Sequence, residues 1–226
     1  MGYIRHMSWL LLLSCLPSGV QLTGVAEVPG DPSAFIQLCE TSDPTAVAIK
    51  EASGKSDCVA AGQSVIGVDT IDFNRSSLEK VNLHALALLT NLKSIAAYER
   101  QIDDITPLAG LVRLEELYLM QNDIVDITPL SMLFQLKYLR LDGNNIVDIS
   151  VLSKLKKLEK LGLDANQIKD FQPLAELPIL QDLNTNFNPV DLDKCPEGEG
   201  VTKKLNKYCK RMKKNAPDIQ GAIDPK

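Results

Sequence analysis

The chain has 226 residues, 45% hydrophobic and 23% charged, with a formal net charge of −5. That balance belongs to a folded globular chain long enough to bury a substantial core, and it excludes collagen-like, disordered and polytopic membrane readings. Charge is uneven: from residue 200 onward lie 8 of the 24 Lys and Arg against 2 of the 29 Asp and Glu, leaving 16 against 27 in the acidic body. With an acidic body, no nucleic-acid partner is expected.

Residues 1–26 are expected to be an export signal. Arg5 and His6 supply a basic start, Trp9 to Leu16 an apolar run, Pro17 and Gly19 break it, and Gly24 and Ala26 suit cleavage after Ala26. The run is far shorter than the roughly 20 apolar residues of a membrane span. Leu12-Leu13-Ser14-Cys15 is similar to a lipobox, so a lipidated Cys15 is the rival outcome.

Residues 27–67 read as an N-terminal cap. Ala34-Phe35-Ile36 and Val59-Ala60 mark short helices, with Cys39 and Cys58 placed to pin them. Cys195 and Cys209 make the corresponding pair near the other end. The two local pairings are favoured because a long repetitive segment between them holds the ends apart, and exported chains keep such pairs as disulfides. No CxxC is present and only His84 remains beyond the signal, so neither zinc nor any other cofactor is expected. Gly54-Lys55-Ser56 echoes the end of a phosphate-binding loop, but Ile49 stands where its first glycine belongs. Without a second histidine or a free thiol for a nucleophile and its base, the chain is not expected to be an enzyme. Asn74-Arg75-Ser76 is a glycosylation sequon.

Residues 68–190 are repetitive. A shift of 22 aligns Leu92, Leu114, Leu136, Leu158 and Leu180; three residues on stand Ile95, Leu117, Leu139, Leu161 and Leu183. Asn122, Asn144, Asn166 and Asn188 form another column, and Ile105, Ile127, Ile149 and Phe171 a further one. The unit is L-x-x-L-x-L-x-x-N-x-I-x-D-I-x-P-L-x-x-L-x-x. L-x-x-L-x-L predicts a short strand, the asparagine a turn whose amide bonds neighbouring coils, and Pro107, Pro129 and Pro173 the start of a return segment capped by Thr106 and Thr128. Arg100 replaces the first ladder asparagine and Val151 one proline. Upstream, Val68, Ile71, Phe73, Leu78 and Val81 fit a first coil of 24 residues, with a longer helix expected near His84 to Leu89. One coil cannot bury its own apolar edge, so the coils stack into a solenoid.

These residues, with Asp104-Ile105-Thr106-Pro107-Leu108 and Asp126-Ile127-Thr128-Pro129-Leu130, resemble the 22-residue leucine-rich repeats of bacterial internalins and of the eukaryotic phosphatase-1 regulatory subunit. The resemblance implies an α/β fold: a curved right-handed leucine-rich repeat solenoid with a concave parallel sheet, short helical or 3-10 convex segments, and capped ends. It also implies protein ligands, with surface or secreted deployment by analogy to internalins and an intracellular regulatory role by analogy to the phosphatase subunit. Residues 191–214 should form a C-terminal helical cap and 215–226 a tail.

Side chains alternating with the inward leucines face the concave surface. Tyr98, Tyr118 and Tyr138 run diagonally there, with Glu116, Met120 and Arg140 beside them. Tyrosine and arginine bring large contact area with a polar handle, so a protein partner is expected on this face, bound by a monomer. Asp142 and Asp164 stack in one column; Lys160 or Arg140 would relieve their repulsion. A calcium ion is the rival, since Asp182-Leu183-Asn184-Thr185-Asn186 imitates an EF-hand start, but Phe187 stands where that loop needs glycine. Envelope association, through a lipidated Cys15 or the basic C-terminal helix, is the alternative to a soluble exported module.

Overall fold

Each L-x-x-L-x-L stretch places one apolar side chain inward between two that point out, and each forms a strand of three residues. A computed structural model describes residues 32–43, 46–47, 49–50, 55–65, 68–75, 79–196 and 203–215. The export signal with Cys15, Gly54 of the loop-like triplet, Ser76 of the sequon, and residues 216–226 lie outside the described residues. The strands are β1 (Thr70–Asp72), β2 (Ser94–Ala96), β3 (Glu116–Tyr118), β4 (Tyr138–Arg140), β5 (Lys160–Gly162) and β6 (Asp182–Asn184). They form one parallel sheet in chain order. Ile95, Leu117, Leu139 and Leu161 pair in register at the centre of the strands. Leu108, Leu130, Leu152 and Leu174 close the coils from the far side with no exposed surface. Each such leucine contributes roughly 1.5–3 kcal/mol by leaving water.

The asparagine ladder binds coil to coil. Asn144 Oδ1 accepts the Ile124 N–H at 3.1 Å, while its Nδ2 donates to Leu119 O and Leu141 O, both at 2.9 Å. Asn122, Asn166 and Asn188 repeat the arrangement. Arg100 takes over part of this task in its coil: its Nε donates to Phe73 O at 3.2 Å, the carbonyl one coil back that corresponds to the Ala97 O served by Asn122.

The return segments are 3-10 turns, among them Thr106–Leu108, Thr128–Met132, Ser150–Lys154 and Gln172–Glu176. Thr106 and Thr128 do not cap them, contrary to expectation; they are the first residues of the turns. The aspartate two places earlier does the work. Asp104, Asp126, Asp148 and Asp170 each accept at Oδ1 the N–H of the turn's first residue at 2.8 Å. Proline follows in three of the four and has no N–H of its own, so this one donor is what the short carboxylate must satisfy. The expected longer helix near His84 is also corrected: it is a 3-10 turn, His84–Leu88, no longer than its counterparts. Asn82 Oδ1 accepts the His84 N–H as Asp104 does for Thr106. Asn74 bonds Tyr98 at a spacing of 24. The two extra residues of the first coil therefore fall between Asn74 and Asn82.

Both ends of the array are covered. On the β1 side lie α1 (Ser33–Glu40) and α2 (Cys58–Val65), joined by the Cys39–Cys58 disulfide with Cα atoms 5.6 Å apart. Phe35, Ala46, Ile49 and Ala61 carry the core into this cap. On the β6 side, α3 (Lys203–Asn215) is tied by the Cys195–Cys209 disulfide. Its Leu205 is fully buried, and the Tyr208 ring meets Phe171 edge-on at 6.0 Å. The N-terminal cap packs on the His84–Leu88 turn, and α3 packs on β6, where it covers an open strand edge of the kind through which sheets aggregate. Among the described residues, no helix is long and apolar enough to cross a membrane.

Candidate binding surface

Strand pairing arranges the outward side chains of the concave face in columns. Ser94, Glu116, Tyr138, Lys160 and Asp182 share the first; Ala96, Tyr118, Arg140, Gly162 and Asn184 share the second. One step beyond the strands follow Tyr98, Met120, Asp142, Asp164 and Asn186. Tyr98 is 40% exposed, while Tyr118 and Tyr138 are half-buried.

Local bonds hold these groups in place. Glu116 Oε2 accepts from the Tyr118 hydroxyl at 3.2 Å and from Ser94 Oγ at 3.3 Å. Burial, followed by the neighbouring Glu116 charge, raises the Tyr118 pKa, so this phenol stays a neutral donor at physiological pH. The Tyr98 pKa is raised too, by its bond to Glu99 and that carboxylate's charge. Lys160 Nζ lies 5.0 Å from the centre of the Tyr138 ring. Arg140 Nε meets Asp142 Oδ2 at 2.6 Å. That pair crosses toward Gly162, where even a Cβ would overlap Arg140 Nε and Asp142 Oδ2. A glycine on β5 thus leaves the room in which this pair lies, and any side chain there would have to displace Arg140 or Asp142.

Tyr118, Tyr138, Arg140 and Lys160 come together around a cavity of about 300 Å³, joined by Asp182 and Asn184. Tyr98, Glu116, Met120, Asp142 and Asp164 do not line it. The aspartate column is committed to the fold. Asp142 is buried, and its Oδ1 accepts the Asp164 N–H at 3.1 Å; Asp164 Oδ1 accepts the Asn186 N–H at 2.7 Å and Asn186 Nδ2 at 3.2 Å. Arg140 thus pairs with Asp142 while neutral N–H donors engage both carboxylates, and the described residues hold no cluster of metal-ligating groups. Asp182 and Asn184, which the sequence offered only as the start of an EF-hand imitation, line the cavity beside the expected partner-binding residues; their column membership at the 22-residue shift was the available signal.

A sequence model described as Leucine Rich repeats (2 copies) matches residues 135–176. An internalin, InlF of Listeria monocytogenes, aligns in structure with 38% identity and a TM-score of 0.50 over 51% of this chain and 34% of its own. The chain is an internalin-like leucine-rich repeat solenoid. A second Listeria monocytogenes internalin, InlC2, aligns with 29% identity and a TM-score of 0.50 over 71% of this chain and 89% of its own. The internalin-like chain thus spans about a third of InlF and most of InlC2. A comparison with curated proteins gave no match. Repeats of this family typically mediate protein–protein interaction through extended surfaces, and the internalin-like array carries its candidate surface on its concave sheet.

Proposed function

We propose that the chain is an exported, non-enzymatic module that recognises a protein partner on its concave sheet, centred on Tyr98, Tyr118, Met120, Tyr138 and Arg140. The observation that carries this reading is the cavity bounded by Tyr118, Tyr138, Arg140 and Lys160 on the parallel sheet. Its side chains are held by Glu116, Asp142 and ring contacts, so they lose little freedom when a partner arrives. Disulfides at both ends favour export over an intracellular regulatory role, and similarity to internalins supports deployment at a surface or in the surrounding medium.

The test is capture of partners from the native surroundings with the disulfide-intact protein, beside a Tyr118→Ala, Tyr138→Ala, Arg140→Ala variant. A partner retained by the first and lost by the second, with the unfolding midpoint little changed, supports the reading. The same species retained by both, or a large stability loss with binding intact, overturns it.

A further inference from the structure

The concave face ends in a second cleft beyond the tyrosine cavity. Asn184 and Asn186 of the last coil form one wall, and Lys207, Tyr208, Lys210 and Arg211 of α3 the other, around about 550 Å³. Asn184 also lines the tyrosine cavity, so the two adjoin. With Arg140 already paired to Asp142, they present four further cations, Lys160, Lys207, Lys210 and Arg211, against one lining acid, Asp182, in a chain whose net charge is −5. Two of these cations are held over rings: Lys160 over Tyr138, and Arg211 over Tyr208 at 5.8 Å. Arg211 Nη2 also donates to Asn186 Oδ1 at 3.3 Å. Asp142 and Asp164 lie alongside, their carboxylates already engaged by Arg140 and by backbone N–H groups. At the end of the last coil Phe187, next to Asn186, is 85% exposed and offers an apolar platform.

We infer that this cleft docks an extended acidic segment of a protein partner. The inference rests on the concave face being a recognition surface and names the chemistry its C-terminal end would take. Two strand spacings of about 4.8 Å from β4 to β6, plus the width of α3, give a track of roughly 20 Å, the reach of about six extended residues. A polyanion bearing one charge per unit would bring an anion against Asp182; a polypeptide places carboxylates opposite Lys207, Lys210 and Arg211 and a neutral or basic residue opposite Asp182. Asn184, at the end of β6 and shared by both cavities, offers an amide that matches peptide groups.

The test uses the full, disulfide-intact chain and fluorescence anisotropy with a labelled decapeptide of alternating glutamate and serine. A glutamine–serine decapeptide serves as the uncharged control, and dextran sulfate as the uniform polyanion. The glutamate peptide should bind saturably and the glutamine peptide at least tenfold more weakly. Lys207→Gln/Lys210→Gln should weaken binding at least fivefold, with Lys207→Arg/Lys210→Arg restoring it, while Lys154→Gln/Lys169→Gln, the same charge change away from the cleft, leaves it unchanged. Absence of saturable binding, equal weakening by both glutamine pairs, or a cleft-dependent preference for dextran sulfate would overturn the inference. If a native partner is still lost on tyrosine substitution while the peptide fails, the concave-face reading stands and only the acidic-segment inference falls.

Discussion

The interior coils and the two ends of this solenoid solve the same problem by different means. In the coil around β4, Asn144 ties three backbone groups of adjacent coils and the leucines are sealed from both sides. At the ends a neighbour is missing on one side, so short helices and disulfides replace it. In the first full coil Arg100 supplies one bond to Phe73 O where an asparagine would supply its amide. Interior stability is therefore a matter of stacked hydrogen bonds and leucines, whereas end stability depends on cross-links and helix packing.

The largest effect should come from Asn144→Ala, which strands the buried Ile124 N–H and Leu119 O, while Leu141 O keeps its bond from Asn166 Nδ2. At roughly 1–3 kcal/mol for each unsatisfied buried group, a loss of about 3 kcal/mol or more is expected by denaturant unfolding. Arg100→Ala, in the first full coil, should cost about 1 kcal/mol; equal costs would erase the distinction between interior and end. Next comes Cys195→Ser/Cys209→Ser. Opening a cross-link with a sequence separation of 14 should cost about 3 kcal/mol, with hydrogen exchange rising first in β6 and α3 while β3 and β4 keep their protection. Uniform loss of protection would show that the solenoid unfolds as a single cooperative unit.

A smaller effect is expected from Gly162→Ala. The added methyl group must displace Arg140 or Asp142, so stability should fall by about 1–2 kcal/mol and the tyrosine cavity should change shape, visible as shifts of the Tyr118 and Tyr138 ring resonances. The smallest effect concerns pH. The hydroxyl and N–H of Thr106 hold the Asp104 carboxyl below its usual value of 3.8. A depressed pKa in the folded state means that this stabilisation is present above the ordinary carboxylate value and is lost as pH falls through the folded one. Asp104→Asn keeps an acceptor without the charge, so the unfolding midpoint of the variant should be less acid-sensitive below about pH 4. Identical acid profiles would remove Asp104 from the account.

The concave face shows how far residue order carries. Tyr118, Tyr138, Arg140 and Lys160 were legible as neighbours because every column is a shift of 22, and stacking turns that shift into one strand spacing. The pairing of Asp142 with Arg140 was legible as relief of stacked carboxylates, but its second bond was not: an aspartate one step beyond a strand is solvent-facing by alternation, yet here its Oδ1 accepts the Asp164 N–H of the next coil. Thr106 misled in the same way, because an N-cap preference assigns the hydroxyl a role that the aspartate two residues earlier already fills.

What the residues alone determined was everything periodic: the coil length, the strands, the asparagine ladder and, since a stiff array separates the ends, the local pairing of the cysteines. Only the folded chain decided which side chains meet across columns and where α3 lies against β6. Those contacts depend on rotamers, on the space left by Gly162, and on a helix that returns over the sheet edge, and none of these repeats at a fixed interval in the chain.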